Sequence, residues 1–330
     1  MLKSLHIRNF RGFRELKIES LKRVNLLTGQ NNTGKTGVLE ALALLLSDPE
    51  TNQRQLLPSL FRPVGGDPRA DFWQWLFNDK SLGNNLEVKS SFDNRKDFSV
   101  ILQAASLVPI DYDGALLRPL GKLGGFDSYG VGYEQPFKCK TAVFSTKPSD
   151  PVQDAIDYNL VILKRRKKQV EQMLRQIEPR LETLEALQSQ TGQPGQPSTP
   201  LIYAELSGLS ELIPVTQLGR GFNRLLDIYS EIVATEARVL LIDEIENGLH
   251  YSVLPLVWKG LFLAAKEFDV QIFATTHSWE CILAADQSAR EGGPYELELI
   301  RLDRMDETIK ATLMDETSLT TARELGWEMR

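Results

Sequence analysis

Cysteine and histidine are scarce in this chain. Its two cysteines, Cys139 and Cys281, and its three histidines fall into no metal-ligand spacing. That argues against a zinc site and reads the thiols as reduced ones in a cytoplasmic protein. Positive charge is not in excess either: 38 Lys and Arg against 44 Asp and Glu leave a formal charge of -6. A generally basic, DNA-coating protein is thereby excluded, while a local basic patch stays compatible with nucleic acid. No run approaches the roughly 20 apolar residues that span a bilayer. The opening "MLKSLHIRNFRGF" carries charges every few residues where a signal peptide has an apolar stretch. No membrane domain is expected within the chain, which leaves a separate subunit as the only route to one.

What is present suits a globular protein: 42% of residues are apolar and 25% charged in 330. That length favours one large α/β domain with an inserted segment. "LKSLHIRNF" and "FRELKIES" alternate as strands do, and "RVNLLTG" is a short apolar strand ending in glycine. "TGVLEALALLLSD" has helical character with apolar residues on most sides. "DFWQWLF" reads as a short aromatic helix, "LEVKSSF", "FSVIL" and "KCKTAVFST" as strands, and the Gly-rich "GKLGGFDSYGVGY" as loop. Composition shifts near 151. The stretch from "AIDYNLVILKRRKK" to "ETLEALQSQ" predicts a long helical arm broken near Pro179 and closed by "TGQPGQPSTP". From 201 strands alternate with helices again, which predicts a largely parallel core sheet. Three regions follow: a lobe over 1–150, a helical arm over 151–200 and a second lobe over 201–330.

The chemistry concentrates at three strand ends. "GQNNTGKT", residues 29–36, fits the phosphate-loop pattern G-x-x-x-x-G-K-[ST] without a mismatch and lies between a strand and a helix. Backbone N–H groups of Gly29, Asn31, Asn32, Thr33 and Gly34 are expected to approach phosphates, Lys35 to neutralise the β/γ charge and Thr36 to hold Mg²⁺. In "VLLIDE" a buried strand delivers Asp243 toward the metal, and Glu244 follows as a candidate general base. Neighbours in a strand point to opposite sides, so both carboxylates serve only if the strand ends there. "ATTHS" places His277 just past another strand, where ligands of such sheets bind. "KRRKK", Lys164, Arg165, Arg166, Lys167 and Lys168, is the densest positive run. It reads either as a solvated helix face or as a contact to DNA phosphates.

With these segments in order, the chain resembles the ABC-type ATPase heads of the RecF, SMC and OLD (overcoming lysogenization defect) group. It is most similar to the OLD-like AAA-type ATPases, through "NFRGF", "GQNNTGKT", "DEIENGLHYSVL" and "FATTHS". The resemblance covers roughly 1–60 and 200–330. It implies an α/β fold: a P-loop head with a mixed core sheet, an N-terminal antiparallel β subdomain and a short helical arm. It implies ATP and Mg²⁺ as cofactors, with Gly29 to Thr36 as Walker A, Asp243 and Glu244 as Walker B and base, and His277 as the switch histidine. Glu246, Asn247, Gly248 and His250 correspond to the dimer-contacting D-loop. Leu218, Gly219, Arg220 and Gly221 fall where such heads carry L-S-G-G-Q, which binds the ATP of a second subunit. Gly219 stands in place of the serine and Phe222 of the glutamine, so backbone N–H groups or Arg220 must supply that contact. Gln53, Gln55 and Gln103 are candidates for the Q-loop glutamine.

A homodimer closing on ATP is the implied assembly. OLD enzymes continue into a TOPRIM nuclease domain, for which about 50 residues after "TTHS" leave no room, so a separate TOPRIM-type nuclease or other effector is the expected partner in anti-phage defence. A RecF-like DNA repair clamp is the alternative and a transporter ATPase a third. A GTPase switch is disfavoured because no N-K-x-D guanine motif stands in the expected region. A small-molecule kinase would leave the signature and switch segments unexplained.

Overall fold

A computed structural model of the chain describes residues 1–46, 75–93, 95–103, 117–123, 126–131, 140–145, 150–189 and 199–325. The chain starts as an antiparallel hairpin of β1 (Leu5–Phe10) and β2 (Phe13–Ile18), each alternating buried and more exposed residues. β3 (Val24–Thr28) is buried at every position, as a central strand covered on both faces must be. It leads through residues 29–34 into α1 (Lys35–Leu46), in which every residue from Gly37 to Leu46 is buried.

β3 sits inside a six-stranded sheet. On one side of it lie β13 (Gln271–Thr275), β12 (Val239–Ile242) and β8 (Thr141–Phe144), all parallel. On the other side lies parallel β14 (Leu297–Met305), edged by antiparallel β15 (Thr308–Met314). The sheet is therefore mixed. Its two faces separate by residue parity. Leu240, Ile242, Ile272 and Ala274 enter one apolar core with α4 (Arg220–Thr235), α5 (Leu254–Glu267) and α6 (Trp279–Glu291). Val239, Leu241, Phe273 and Leu27 enter a second core with α1 and the N-terminal hairpin.

A second six-stranded sheet, wholly antiparallel, extends that hairpin through β4 (Leu86–Phe92), β5 (Arg95–Gln103), β6 (Leu117–Leu123) and β7 (Phe126–Val131), in the order β2–β1–β4–β5–β7–β6. Here one expectation is corrected. The Gly-rich stretch is not loop: β6 and β7 form a hairpin on the edge of β5. Glycine lowers strand propensity, but a neighbouring ladder supplies the pairing that propensity alone does not. The first four residues of "DFWQWLF" lie outside the described residues. Trp75 and Leu76 form a turn, and Phe77 bridges to Phe10.

The expected arm is also corrected. α2 (Pro151–Leu163) opens with Asp150, whose carboxylate caps the N–H of Val152, and with Pro151 in the first helical position. α3 (Lys167–Arg175) is short, and "LETLEALQS" is not helix but β9 (Leu181–Ser189). β9 pairs antiparallel with β10 (Thr199–Leu206), which also pairs with β11 (Ile213–Pro214). Leu, Glu and Ala favour helix in isolation; the long ladder to β10 overrides them. Among the described residues of this segment none projects as a free helix: α2 packs on α4 and β10, and Ala155, Tyr158 and Val161 are fully buried. The described chain ends with α7 (Glu316–Glu324). Among the described residues no helix is long and apolar enough to cross a membrane.

Candidate functional site

The loop after β3 needs its glycines. Gly29 and Gly34 have φ of 137° and 91°, a region open mainly to glycine. A Cβ on Gly29 would lie 2.3 Å from the carbonyl oxygen of Leu302, and one on Gly34 2.5 Å from the ring of Phe13. Asn31 and Asn32 are exposed, whereas Thr33 is buried and donates to the Gln30 carbonyl at 2.8 Å. Lys35 arches back over the loop, its ammonium donating to the carbonyls of Gly29 (2.6 Å) and Gln30 (2.9 Å). Burial holds the Lys35 pKa below its ordinary value, opposed by the negative charges of Glu246, Asp243 and Glu244.

The "NFRGF" segment braces this loop. Phe13 lies against Gly34 and Gly37. Arg11, in a left-handed turn with φ of 51°, forks onto Glu40 of α1 through Nε at 2.9 Å and a terminal nitrogen at 3.0 Å. Phe13, Arg11 and Glu40 were not singled out as site residues by sequence reasoning; the motif was visible, but its target was not.

β12 ends at Ile242, and Asp243, buried, emerges at its carboxyl end. The Thr36 hydroxyl donates to both of its oxygens at 3.2 Å, and the Thr275 hydroxyl donates to Oδ1 at 2.7 Å. Thr275 Oγ1 in turn accepts the N–H of Glu244 at 2.8 Å. Glu244 itself is left-handed, with φ of 47°. That kink takes it out of strand geometry, so the two adjacent carboxylates need not point to opposite faces. Thr275 is a further residue missed from sequence: it sits in "ATTHS", but only the alignment of Ile242 with Ala274 on paired strands brings it to Asp243.

His277 follows β13 and is 56% exposed. Glu246 accepts its backbone N–H at 2.8 Å on Oε1, the same oxygen that lies 3.2 Å from its ring Nδ1. The Glu246 side chain is 11% exposed, so it faces inward, unlike exposed Asn247, Gly248 and His250. The His250 ring caps the turn that starts α5, accepting from Ser252.

The signature-like segment forms a second cluster. Gly219, with φ of 91°, caps α4 and contributes no side-chain cap. Leu218 is partly buried, Arg220 is exposed, Gly221 packs near Val253, and Phe222 is buried in the core. Phe222 thus has a packing role in place of the expected glutamine. The Arg220 guanidinium donates to the Gly248 carbonyl at 2.8 Å, tying this segment to Gly248. Of the Q-loop candidates, Gln53 and Gln55 lie outside the described residues, and Gln103 is buried at the end of β5 opposite Asp127.

The basic run straddles a helix break: Lys164 to Arg166 lie between α2 and α3, and Lys167 and Lys168 open α3. Lys164 closes α2 and donates to the Ala234 carbonyl and to Glu236. Arg165 is left-handed, and Lys167 pairs with Glu185 at 2.7 Å. Lys164 and Lys140 hold the Glu236 carboxyl down at about 2. Arg165, Arg166 and Lys168 are exposed.

Among the described residues no group of three or more His, Cys, Asp or Glu is arranged to cage a metal. A threonine hydroxyl against one buried carboxylate is instead the sparse oxygen set that suits Mg²⁺ carried in with phosphates.

Comparison with known proteins agrees with this geometry. The profile of one family, the AAA ATPase domain, matches residues 1–105 and 136–282, more than half of the chain. An ATP/GTP phosphatase of Helicobacter pylori is 24% identical over 346 positions, spanning 88% of this chain and 89% of that protein. The DNA replication and repair protein RecF of Clostridium acetobutylicum is 44% identical over 101 residues, 30% of this chain and 26% of its own length. Among solved structures, an SMC head bound to the C-terminal winged-helix domain of ScpA superposes with a TM-score of 0.58 at 12% identity, covering 97% of this chain and 99% of that one. This last likeness shows a common fold.

Proposed function

Because the chain belongs to the AAA ATPase domain family and is an ATPase by that membership, we propose that it is a clamp that dimerises around ATP to control a separate effector. One observation carries the nucleotide site: Thr36, at the start of α1, hydrogen-bonds the buried Asp243 at the end of β12, with Lys35 folded over the intervening loop. Lys35 and the loop N–H groups would hold the phosphates of ATP. Thr36 and Asp243 would hold Mg²⁺, which neutralises phosphate charge. Glu244 is the candidate general base, taking a proton from the attacking water. His277 would contact the γ-phosphate. The similarity to a protein named ATP/GTP phosphatase over nearly all of both chains supports hydrolysis.

The dimer rests on the second cluster. Leu218 to Gly221, at the α4 N-terminus, with Asn247, Gly248 and His250, would meet the nucleotide held by a partner copy. Sedimentation with ATP and Mg²⁺ tests this in the Glu244→Gln variant, which should retain uncleaved ATP and shift to a dimer. An unchanged monomer, with ATP bound, would sink the clamp.

The effector is proposed to be a TOPRIM-type nuclease of an OLD-like anti-phage system, working in the cytoplasm. A gene for such a protein beside this one favours that reading. A RecF-like repair clamp is the second reading, supported by the similarity to RecF. Under it, exposed Arg165, Arg166 and Lys168 would contact DNA phosphates. Changing all three to Ser should then weaken duplex binding and flatten its salt dependence. Equal binding by both proteins would remove that contact.

A further inference from the structure

We propose that Glu246 is a positioning residue for His277, fixing the imidazole with its proton on Nδ1 and leaving Nε2 as the ring nitrogen available to a ligand. The inference rests on the reading of His277 as a nucleotide contact, but its geometry stands apart from it. Glu246 lies three residues beyond Asp243 in the turn after β12, and His277 lies two residues beyond the end of β13. These parallel neighbours place residues 31 apart in sequence side by side. One carboxylate oxygen, Oε1, receives the main-chain N–H of His277 at 2.8 Å and lies 3.2 Å from Nδ1. The backbone bond fixes where the histidine starts, and it sets the same oxygen beside Nδ1.

The chemistry then selects the tautomer. A carboxylate offers lone pairs and no proton, so the ring nitrogen it faces must be the one that carries hydrogen. The negative charge of Glu246 also acts on Lys35 ahead of those of Asp243 and Glu244. Glu246 thus couples the switch histidine to the phosphate loop through charge and to Walker B through the chain.

A structural account would have the carboxylate satisfied by the fold. Instead its other oxygen, Oε2, is buried and makes no hydrogen bond among the described residues. Burying a carboxylate oxygen unpaired is unfavourable. Such a cost persists where a site requires the group. The side chain is 11% exposed against 56% for His277, so the holder is inside and the held ring reaches outward.

The test is ¹⁵N NMR of the full chain labelled at histidine, without nucleotide, the His277 signals being assigned by their loss in His277→Gln. The wild type should show the Nδ1–H tautomer. In Glu246→Ala no acceptor faces Nδ1, so the Nε2–H tautomer, which a free imidazole favours, should appear. Steady-state hydrolysis by Glu246→Ala should show kcat lowered by on the order of 10–100-fold, as for other orienting carboxylates, with KM for ATP within about twofold. An Nε2–H tautomer in the wild type overturns the proposal without need of a folded Glu246 variant. So does an unchanged tautomer in Glu246→Ala, or a changed one with kcat intact. If the wild type neither binds nor cleaves ATP, the functional reading fails while the tautomer result stands.

Discussion

Asp243 is held between two hydroxyls, those of Thr36 and Thr275, and the same Thr275 oxygen receives the N–H of Glu244. One threonine therefore aims both acidic residues. Thr275→Val keeps the shape and deletes the hydroxyl. It removes one hydroxyl from the buried carboxylate, which keeps that of Thr36, and takes the hydroxyl partner from the Glu244 N–H, at a cost of about 1–3 kcal/mol. Thermal unfolding should show the loss, together with slower ATP turnover; a variant as stable and as active as wild type would refute the relay. Glu244→Gln should slow hydrolysis by on the order of 10²–10⁴-fold, the usual worth of a positioned base, with ATP affinity retained. Lys35→Ala should instead weaken ATP binding, because it removes the ammonium from the loop. Calorimetric titration of both variants separates the two roles, and equal affinity for Lys35→Ala and wild type would count against them. Gly29 to Thr36, Asp243, Glu244 and His277 were legible because their motifs are contiguous. Thr275 and Phe13 were not, and Glu246 was read only as a D-loop residue, because the contacts of all three arise from strand alignment and packing between distant segments.

At the scale of elements, the legible parts were those with local signals. β3 reads as buried from its short apolar run, though polar Asn25 and Thr28 are buried with Val24, Leu26 and Leu27, and α2 reads as helix from its helical pattern. β9, β6 and β7 were misread, since Leu, Glu and Ala in β9 favour helix, the glycines around β6 and β7 favour loop, and a ladder leaves no local trace. The α2–α4 contact shows what packing adds. It brings Asp154 and Asp157 of α2 toward Asp227 and Glu231 of α4. Burial, then the hydrogen bond and charge of Asp154, raises the Asp227 pKa well above the ordinary range. Burial, with the charge of Asp157, pushes Glu231 up to about 7 from an ordinary 4.5. A raised carboxyl pKa favours the protonated folded form. Its stabilising contribution is full below about pH 4.5 and is lost as pH rises through about 7. Glu231→Gln mimics the protonated form, so it should melt higher than wild type at pH 8, with the gap closing at pH 4. A gap independent of pH would show that Glu231 does not titrate against the fold.

For the molecule as a whole, the two clusters face different tasks. Walker A, Asp243, Glu244 and His277 converge at the carboxyl ends of β3, β12 and β13. The α4 N-terminus converges instead with Gly248, through the Arg220 guanidinium on the Gly248 carbonyl at 2.8 Å. The serine that would mark a signature segment is absent, so Arg220 and the helix N–H groups are the donors left to meet a partner's phosphate. Arg220→Ala removes the charge and unties the segment from Gly248, but touches nothing named in the protomer's own nucleotide site. ATP affinity measured at dilutions where the protein is monomeric should therefore stay within about twofold. Self-association with ATP and Mg²⁺ in the Glu244→Gln background should weaken by about tenfold or more, the worth of one charge-assisted hydrogen bond per site. Sedimentation across a concentration series reads both quantities on one preparation. If Arg220→Ala dimerises as tightly as its parent, the segment does not reach across, and the nucleotide is held within one protomer.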